Sequence, residues 1–324
     1  CGMSLIRVEN LTKHFPVKKN SLSRQKAGTV KAVDGISLSI AHGETLGVVG
    51  ESGCGKTTAG RTIIKLYEPT SGQIFFEEED ITKLSSAGMR EYRSRMQFIF
   101  QDPFSSLNPR HTVGRIISAP FEIQNIEPAG GVKKAVQDLM DRVGLNPEHY
   151  NRFPHEFSSG QRQRIGIARS IALHPKFVVA DEPVSALDVS IQAQIINLLD
   201  DLQKDFGISF LFIAHDLSVV QHISDRVAVM YLGKVMEVAP TTDLYAMPHH
   251  PYTKALLSAV PVPDPKTAAT RERIILQGDL PSPMNPPTGC VFNTRCWKVQ
   301  DKCRVEAPAL LQIGKSEVAC HFPD

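Results

Sequence analysis

A glycine-rich turn between Thr45 and Thr58 constrains this chain more than any other stretch. An apolar run, Leu46 to Val49, is short enough for a buried parallel strand and leads into the turn. Glycines in such a turn allow successive backbone N–H groups to converge on an anion at the start of the following helix. The sequence therefore predicts a phosphate-binding loop formed by Gly50, Glu51, Ser52, Gly53, Cys54, Gly55, Lys56, Thr57 and Thr58.

Length and charge narrow the class of protein. The 324 residues can form one large domain with a smaller appendage, or two domains. Lys and Arg number 36 against 34 Asp and Glu, so no strong positive field indicates nucleic acid as a partner. No apolar run approaches the length of a membrane span, and the N-terminus lacks a signal-peptide core. Met3 is the expected natural start, with Cys1 and Gly2 outside the fold.

The segment before the phosphate loop alternates apolar and polar residues. Residues 5–11 and 36–40 both alternate, which predicts an antiparallel, half-exposed strand pair. Between them, the basic stretch from Pro16 to Lys31 is predicted to be a solvated loop. Phe15 precedes that loop, and its ring is suited either to stacking on an adenine or to the core.

Beyond the loop, the pattern predicts alternating strands and helices. A helix is expected over 58–66, a strand at 74–76 and another at 96–100, which places Gln101 at a strand end. Residues from about 104 to 157 are predicted to form a helical insertion. Its pieces are expected to be separated at Pro109, Pro120, Pro128, Gly130-Gly131 and Pro147.

Polar residues follow several of the later apolar runs. Ser158, Ser159, Gly160 and Gln161 open a predicted helix, as a second anion site or as a simple helix cap. A buried strand at 177–180 ends in Asp181 and Glu182, which places two carboxylates where metal and water are handled. A tight loop is expected to end at Asp188, and His215 follows a predicted strand at 209–214. The pattern of residues 227–238 predicts a hairpin.

The composition changes after about residue 257. Residues 259–324 contain nine of the 22 prolines and four of the six cysteines, which predicts a loop-rich module with little core of its own. In a protein without secretion signals, clustered cysteines favour a metal site over disulfides. Their spacing lacks the Cys-x₂-Cys of common zinc sites, so the pattern does not favour zinc. Zinc, another metal, and free or partly disulfide-bonded thiols all remain open. The four are Cys290, Cys296, Cys303 and Cys320.

Together these motifs resemble an ATP-binding cassette (ABC) ATPase over nearly the whole chain. Residues 50–57 resemble the Walker A loop, 177–181 the Walker B strand and 157–161 the signature turn. Gln101 resembles the Q-loop glutamine, residues 185–188 the D-loop, His215 the switch histidine and Phe15 the adenine-stacking aromatic. The stretches 231–233, 250–253, 281–283 and 286–290 are similar to oligopeptide/dipeptide permease ATPases, most closely the F-type oligopeptide member.

This resemblance implies an α/β P-loop fold with a RecA-like core, an antiparallel β subdomain and a helical subdomain. It implies an ABC nucleotide-binding domain over 3–258, with the helical part at about 104–157 onward, and a C-terminal module over 259–324. The implied activity is ATP hydrolysis that powers peptide import. Related importers of nickel, glutathione or other small solutes remain open, as does a soluble ABC ATPase of translation or DNA repair.

The resemblance also implies roles for the motif residues. Lys56 would neutralise the β- and γ-phosphates, and His215 would contact the γ-phosphate. Thr57 and Gln101 would ligate Mg²⁺ with support from Asp181. Glu182 would orient the attacking water. The signature turn and Asp188 would complete the ATP site of a partner. The family's first signature glycine is Ser159 here, which adds a side chain and restricts the backbone, so we expect the partner's site to be weakened.

Partners and a cluster are implied in the same way. The family pairs two related ATPases, here as a heterodimer, beneath two transmembrane permease subunits, and a peptide-binding protein delivers substrate from outside. The chain would then lie peripherally on the cytoplasmic face of the bacterial inner membrane. Peptide-permease ATPases resembling this one carry a [4Fe-4S] cluster, so the four C-terminal cysteines are its expected ligands.

Overall fold

The computed structural model describes residues 4–17, 28–260 and 273–324. Contacts divide the chain into two compact units. The first unit comprises Lys83–Ile213, Ile40–Glu44 and the beginning of the chain to Leu5. The second unit comprises Ile6–Ser39, Thr45–Thr82 and Ala214–Asp324. Among the residues described, no helix combines the length and apolar character needed to cross a bilayer.

The strands in chain order are β1 (Ser4–Val17), β2 (Gly28–Ala41), β3 (Thr45–Val49), β4 (Ser71–Phe76), β5 (Glu79–Asp80), β6 (Met96–Ile99), β7 (Phe177–Asp181), β8 (Ser209–Ile213), β9 (Arg226–Tyr231), β10 (Lys234–Pro240), β11 (Leu311–Ile313) and β12 (Ser316–Val318). The helices are α1 (Lys56–Ile63), α2 (Met89–Arg95), α3 (Pro103–Ser106), α4 (Val113–Gln124), α5 (Val132–Arg142), α6 (Ser159–Ile171), α7 (Val189–Phe206), α8 (Leu217–Ile223), α9 (Thr241–Ala246), α10 (Pro251–Ser258) and α11 (Asp301–Val305). Short 3₁₀ turns lie at Pro147–Asn151 and Pro154–Glu156.

A parallel three-stranded arrangement organises the first unit. Strand β7 pairs with β6 on one side and with β8 on the other, in parallel. Every residue of β7 and β8 is buried, as expected for strands covered on both faces. Because the strands are parallel, their carboxyl ends share one edge, and Gln101, Asp181 and Glu182 come from that edge.

The segment 104–157 is helical, as predicted, but one of the expected breaks between its helices is absent. Pro120 was expected to separate two pieces, yet it lies inside α4. A proline there removes one backbone hydrogen bond and crowds the preceding turn. The helix continues because Ile116, Ile117 and Phe121 bury one apolar face on either side of the proline. Burial of that face outweighs the lost bond.

The second unit contains the phosphate loop between β3 and α1. Strand β3 is buried throughout and lies parallel to β9. The hairpin predicted for 227–238 is confirmed, because β9 and β10 pair antiparallel around a turn in which Lys234 lies opposite Tyr231. Strand β12 adds antiparallel to β10 and β11 to β12, so the C-terminal residues extend this sheet.

A second sheet in this unit has the order β2-β1-β4-β5. Strands β1 and β4 are antiparallel, with Ile6 opposite Phe76 and Val8 opposite Ile74. In β1, Ile6 and Val8 are buried while Arg7 and Glu9 are partly exposed, and in β2 Ile36 is buried while Ser37 is exposed, in agreement with the alternation predicted for 5–11 and 36–40. The loop predicted from Pro16 to Lys31 is shorter than expected, because β1 runs to Val17 and β2 starts at Gly28; residues 18–27 of that prediction lie outside the described residues.

Candidate functional site

The phosphate loop adopts a backbone that requires glycine at its two ends. Gly50 has φ 152° and Gly55 has φ 105°. A Cβ atom at Gly50 would lie 2.1 Å from the carbonyl oxygen of Met230, and one at Gly55 would lie 2.0 Å from that of Ala32. These are backbone atoms, which cannot move aside as a flexible side chain does. The loop therefore depends on glycine for both conformation and space.

Lys56 is the first residue of α1, and its ammonium group lies at the loop. Its Nζ atom donates to the carbonyl oxygen of Gly50 at 2.7 Å and to that of Glu51 at 3.2 Å. The side chain is 5% exposed. Cys54 is also buried; burial raises the pKa of its thiol, and the nearby Lys56 opposes that shift. The loop thus holds one buried cation beside a neutral thiol.

Two residues of the C-terminal region hold the second residue of the loop. The backbone N–H of Glu51 donates to the Tyr252 hydroxyl at 2.9 Å. The Glu51 carboxylate accepts two hydrogen bonds from the Arg295 guanidinium, at 2.7 and 3.1 Å. In the sequence, Tyr252 is recognisable only as part of the family-like stretch 250–253, and no pattern indicates a role for Arg295. A separation of 244 residues leaves no local pattern that could have revealed this ion pair.

Phe15 and His215 occupy different settings in the second unit. Phe15 is only partly buried, and its ring packs edge-to-face against Tyr67 with centroids 5.7 Å apart. It is therefore not part of the buried core, and its role in stacking on adenine stays a prediction. His215 is exposed and directly precedes α8, whose N-cap is Asp216.

The carboxylates of the first unit lie at the end of β7. Asp181 is fully buried, whereas Glu182 follows it in a left-handed conformation with φ 46°. The backbone N–H of Glu182 donates to the carbonyl oxygen of Ile213 at 2.9 Å. Gln101 Nε2 donates to Glu182 Oε2 at 2.7 Å. The structure therefore brings Gln101 and Glu182 together, while their roles toward water and metal stay predictions.

The signature turn forms the start of α6. Ser158 Oγ accepts from the backbone N–H of Gln161, and Gln161 Oε1 accepts from the backbone N–H of Ser158, so the pair forms a capping box. Ser159 is the first helical residue and has no left-handed φ. The backbone restriction expected at Ser159 is therefore absent, because any residue adopts this conformation. An anion site at this helix start stays a prediction.

Gly160 is required for a reason that the motif did not reveal. A Cβ atom there would lie 2.6 Å from Ile191 Cγ2, so glycine allows the first turns of α6 and α7 to approach closely. Asp188 is the N-cap residue of α7, and its carbonyl accepts from the N–H groups of Ile191 and Gln192 at 2.9 Å. The signature turn and the D-loop are thus packed together within the first unit.

The four C-terminal cysteines are free thiols. Burial, with smaller contributions from the neighbouring Cys320, Cys303 and Cys296, raises the pKa of Cys290 to about 11. Burial raises the pKa of Cys296 and Cys320 as well. Within 4–17, 28–260 and 273–324, no three His, Cys, Asp or Glu side chains are arranged to hold a metal ion. The thiols are the right donors for iron, but their arrangement does not support the predicted cluster or a zinc site.

Comparisons with known proteins point to one family. Residues 33–185 match the family described as ABC transporter, and residues 236–303 match the oligopeptide/dipeptide transporter C-terminal region. The chain is 54% identical to the oligopeptide transport ATP-binding protein AppF of Bacillus subtilis, over 98% of this chain and 97% of that protein.

Solved structures show the same fold. The chain resembles cbiO1 from Clostridium perfringens, part of an ABC transporter complex, with TM-score 0.64 and 28% identity over 75% of this chain and 91% of the other. It also resembles the ATP-binding cassette MJ0796, solved as a dimer bound to ADP and Pi, with TM-score 0.64 and 25% identity over 73% of this chain and 98% of the other. The predicted ABC cassette fold is confirmed. This chain belongs to the ATP-binding subunits of ABC transporters, within the oligopeptide/dipeptide transporter family.

Proposed function

We propose that this chain binds and hydrolyses ATP to power an importer of oligopeptides or dipeptides. The observation that carries the proposal is the built phosphate loop, in which Lys56 is already placed at the backbone carbonyls of Gly50 and Glu51. The 54% identity with an oligopeptide transport ATP-binding protein supports peptide as the cargo.

The loop residues bind the phosphates. Lys56 neutralises the β- and γ-phosphates, while backbone N–H groups of the loop other than those of Glu51 and Cys54 surround them. The Thr57 hydroxyl, one residue into α1, is the loop's ligand for Mg²⁺. Thr57 and Gln101, with support from Asp181, would hold Mg²⁺, which binds through few protein oxygens. When bound, Mg²⁺ supplies charge neutralisation between the phosphates.

Glu182 orients the water that attacks the γ-phosphate, and His215 contacts that phosphate. The hydrogen bond from Gln101 to Glu182 supports this role, because it orients the carboxylate. The left-handed backbone at Glu182 is the kind of local strain that is found at functional positions.

The working form is a pair of ATPases on two permease subunits. MJ0796 forms a dimer, and by analogy the signature residues Ser158, Ser159, Gly160 and Gln161 with Asp188 face the nucleotide of a second, related ATPase. Phe104 and Ile123 are large apolar side chains exposed in the helical insertion, at 64% and 68%. We assign this surface to the permease subunits, which places the chain peripherally on the cytoplasmic face of the inner membrane. A peptide-binding protein delivers the cargo outside.

The domain boundaries follow the same assignment. Residues 3–258 form the nucleotide-binding domain, and 259–324 form the peptide-permease C-terminal module. The change in composition after residue 257 supports this division. Strand β12 pairs with β10 of the nucleotide-binding domain, so the module is attached to its neighbour by a sheet as well as by the chain.

The test is ATP hydrolysis by the chain alone and then with its permease subunits and partner ATPase. Stimulation on assembly is expected, and Glu182→Gln should lose hydrolysis by more than about 100-fold while retaining ATP binding. The matched control is Glu91→Gln, which neutralises an exposed carboxylate in α2 and should leave hydrolysis unaltered. Full activity of the isolated chain, indifferent to the permease, would favour a soluble ABC ATPase instead.

Ser159 provides a separate test of the composite site. The predicted weakening now rests on the added side chain alone, because the backbone there is helical. Ser159→Gly should raise the hydrolysis rate of the assembled transporter by about two- to tenfold if the hydroxymethyl group obstructs the partner's nucleotide. An unchanged rate would show that both composite sites are equivalent in this respect.

The [4Fe-4S] cluster stays a prediction of the family resemblance. Its assay is iron and acid-labile sulfide on anaerobically purified protein, and absence of both would remove it. Import of nickel, glutathione or another small solute is the second candidate function. Transport assays with peptides and with these solutes, in the assembled importer, distinguish the two.

A further inference from the structure

The phosphate loop contains its own negative charge. Among residues 50–58, Glu51 is acidic and Lys56 is basic, so the loop alone is formally neutral. A neutral loop is a poor site for a triphosphate, because the carboxylate repels the phosphates that the lysine attracts. The residue that changes this balance lies 244 positions away: Arg295 binds the Glu51 carboxylate through both terminal nitrogens.

This pair is well sheltered from solvent. The Arg295 side chain is 9% exposed and that of Glu51 is 27% exposed. The guanidinium carbon lies 5.9 Å from the centre of the Tyr231 ring. Burial by itself lowers the pKa of Arg295, but the hydrogen bonds to Glu51 more than offset this, and the net pKa is raised. The cation is therefore permanent, and a bidentate pair in such surroundings is stronger than an exposed one.

Every polar group of Glu51 is engaged. Its N–H donates to Tyr252, its carbonyl accepts from Lys56 and from the N–H of Cys54, and its carboxylate binds Arg295. The Tyr252 ring packs against Tyr231, with centroids 4.8 Å apart, and against Phe292 at 5.3 Å. Tyr252 thus fixes the backbone of Glu51, and Arg295 fixes its charge.

We propose that Arg295 is a positioning residue for nucleotide binding, which acts through Glu51: it neutralises that carboxylate and turns it away from the phosphates, so that the loop carries a net positive charge. Arg295 itself does not contact the nucleotide, because both of its terminal nitrogens are held by Glu51. The inference rests on the proposed function, since it assumes that residues 50–57 bind the phosphates of ATP.

The alternative is that the ion pair merely attaches the C-terminal region to the rest of the unit. The two explanations differ in their dependence on phosphate charge. Loss of neutralisation weakens binding in proportion to the charge near the loop, so ATP should suffer more than ADP, and ADP more than AMP. Loss of a structural attachment should weaken all three nucleotides alike. They differ again in whether removing the Glu51 charge restores binding.

The experiment measures the dissociation constants of ATP, ADP and AMP by calorimetric titration of the full chain. Arg295→Gln should weaken ATP binding about tenfold, with smaller losses for ADP and AMP. Glu51→Gln in the Arg295→Gln background should restore most of the ATP affinity, as a double-mutant cycle with strong coupling requires. The matched control is Lys298→Gln, which removes a cation of the same region that pairs with Asp324 instead of the loop.

The outcomes separate cleanly. Equal losses for the three nucleotides, no rescue by Glu51→Gln, or an effect of Lys298→Gln as large as that of Arg295→Gln would each overturn the proposal. Arg295→Lys keeps the charge and should retain most of the affinity, which gives a second readout if Arg295→Gln fails to fold. Lys56→Ala tests the underlying assignment: if it leaves ATP affinity unchanged, the phosphate site itself is misplaced.

Discussion

A buried histidine makes stability of the second unit depend on pH. His250 is 1% exposed, and its Nδ1 atom accepts the N–H of Tyr252 at 3.0 Å as the N-cap of α10. Burial lowers its pKa from 6.5 to about 3, and a hydrogen bond involving the Ala319 backbone opposes the shift only in part. In the unfolded chain this histidine takes up a proton below about pH 6.5, whereas in the folded chain it stays neutral.

The sign and size of the effect follow from that difference. Because the pKa of His250 is lower in the folded state, its full contribution to stability is present above pH 6.5. That contribution is lost as the pH falls toward 3. Between pH 7 and pH 5 the unfolded state gains most of a proton, and the folded state gains almost none. The free energy of unfolding should therefore fall by about 2 kcal/mol over this interval from His250 alone.

The perturbation is His250→Asn, which keeps a side-chain acceptor suited to an N-cap and removes the titration. Urea unfolding at pH 7 and pH 5 can be followed by the fluorescence of Trp297, the one tryptophan of the chain. Asn should lower stability at both pH values, but the wild type should lose about 2 kcal/mol more than the variant on acidification. Glu237, which accepts from the backbone N–H of His250, is present in both proteins. Equal pH slopes would refute the reasoning.

Two further predictions concern the loop and the thiols. Gly55→Ala should weaken ATP binding at least about 30-fold, because its Cβ would meet the Ala32 carbonyl. Gly53→Ala has open space and only an unfavourable φ, so it should weaken ATP binding far less. Similar losses of affinity in calorimetric titrations would contradict the steric argument. In protein shown to be free of bound metal, iodoacetamide should label Cys290 at pH 8 about 200-fold more slowly than it labels an unperturbed thiol. The labelling rate should rise as the pH approaches 11. Rapid labelling of Cys290 at pH 8, detected by peptide mass spectrometry, would count against a buried thiol.

Local patterns in the sequence were sufficient for the elements that carry the motifs. The apolar run before Gly50 is a buried strand, the turn after it depends on glycine, and residues 227–238 form the predicted hairpin. These features depend on neighbours a few residues apart, so periodicity and turn chemistry reveal them. Pro120 was misread because the rule for proline is local, whereas the packing that sustains α4 is not.

The contacts that the sequence could not reveal join distant residues. Arg295 meets Glu51 only because the C-terminal region folds back onto the sheet that contains β3 and β9. Gly160 looked like a motif glycine, yet its space is needed for Ile191 of α7. Tertiary packing decides such cases, and no spacing within a single element encodes it.

The close approach of α6 and α7 at Gly160 has a mechanical consequence. With less than a methyl group's room between the two helix starts, neither can tilt or slide without pushing the other. In the proposed pair of ATPases, the signature turn and Asp188 are the parts that face the second subunit. A displacement of Asp188 would therefore also move the start of α6, so a second ATPase would engage or release both segments together.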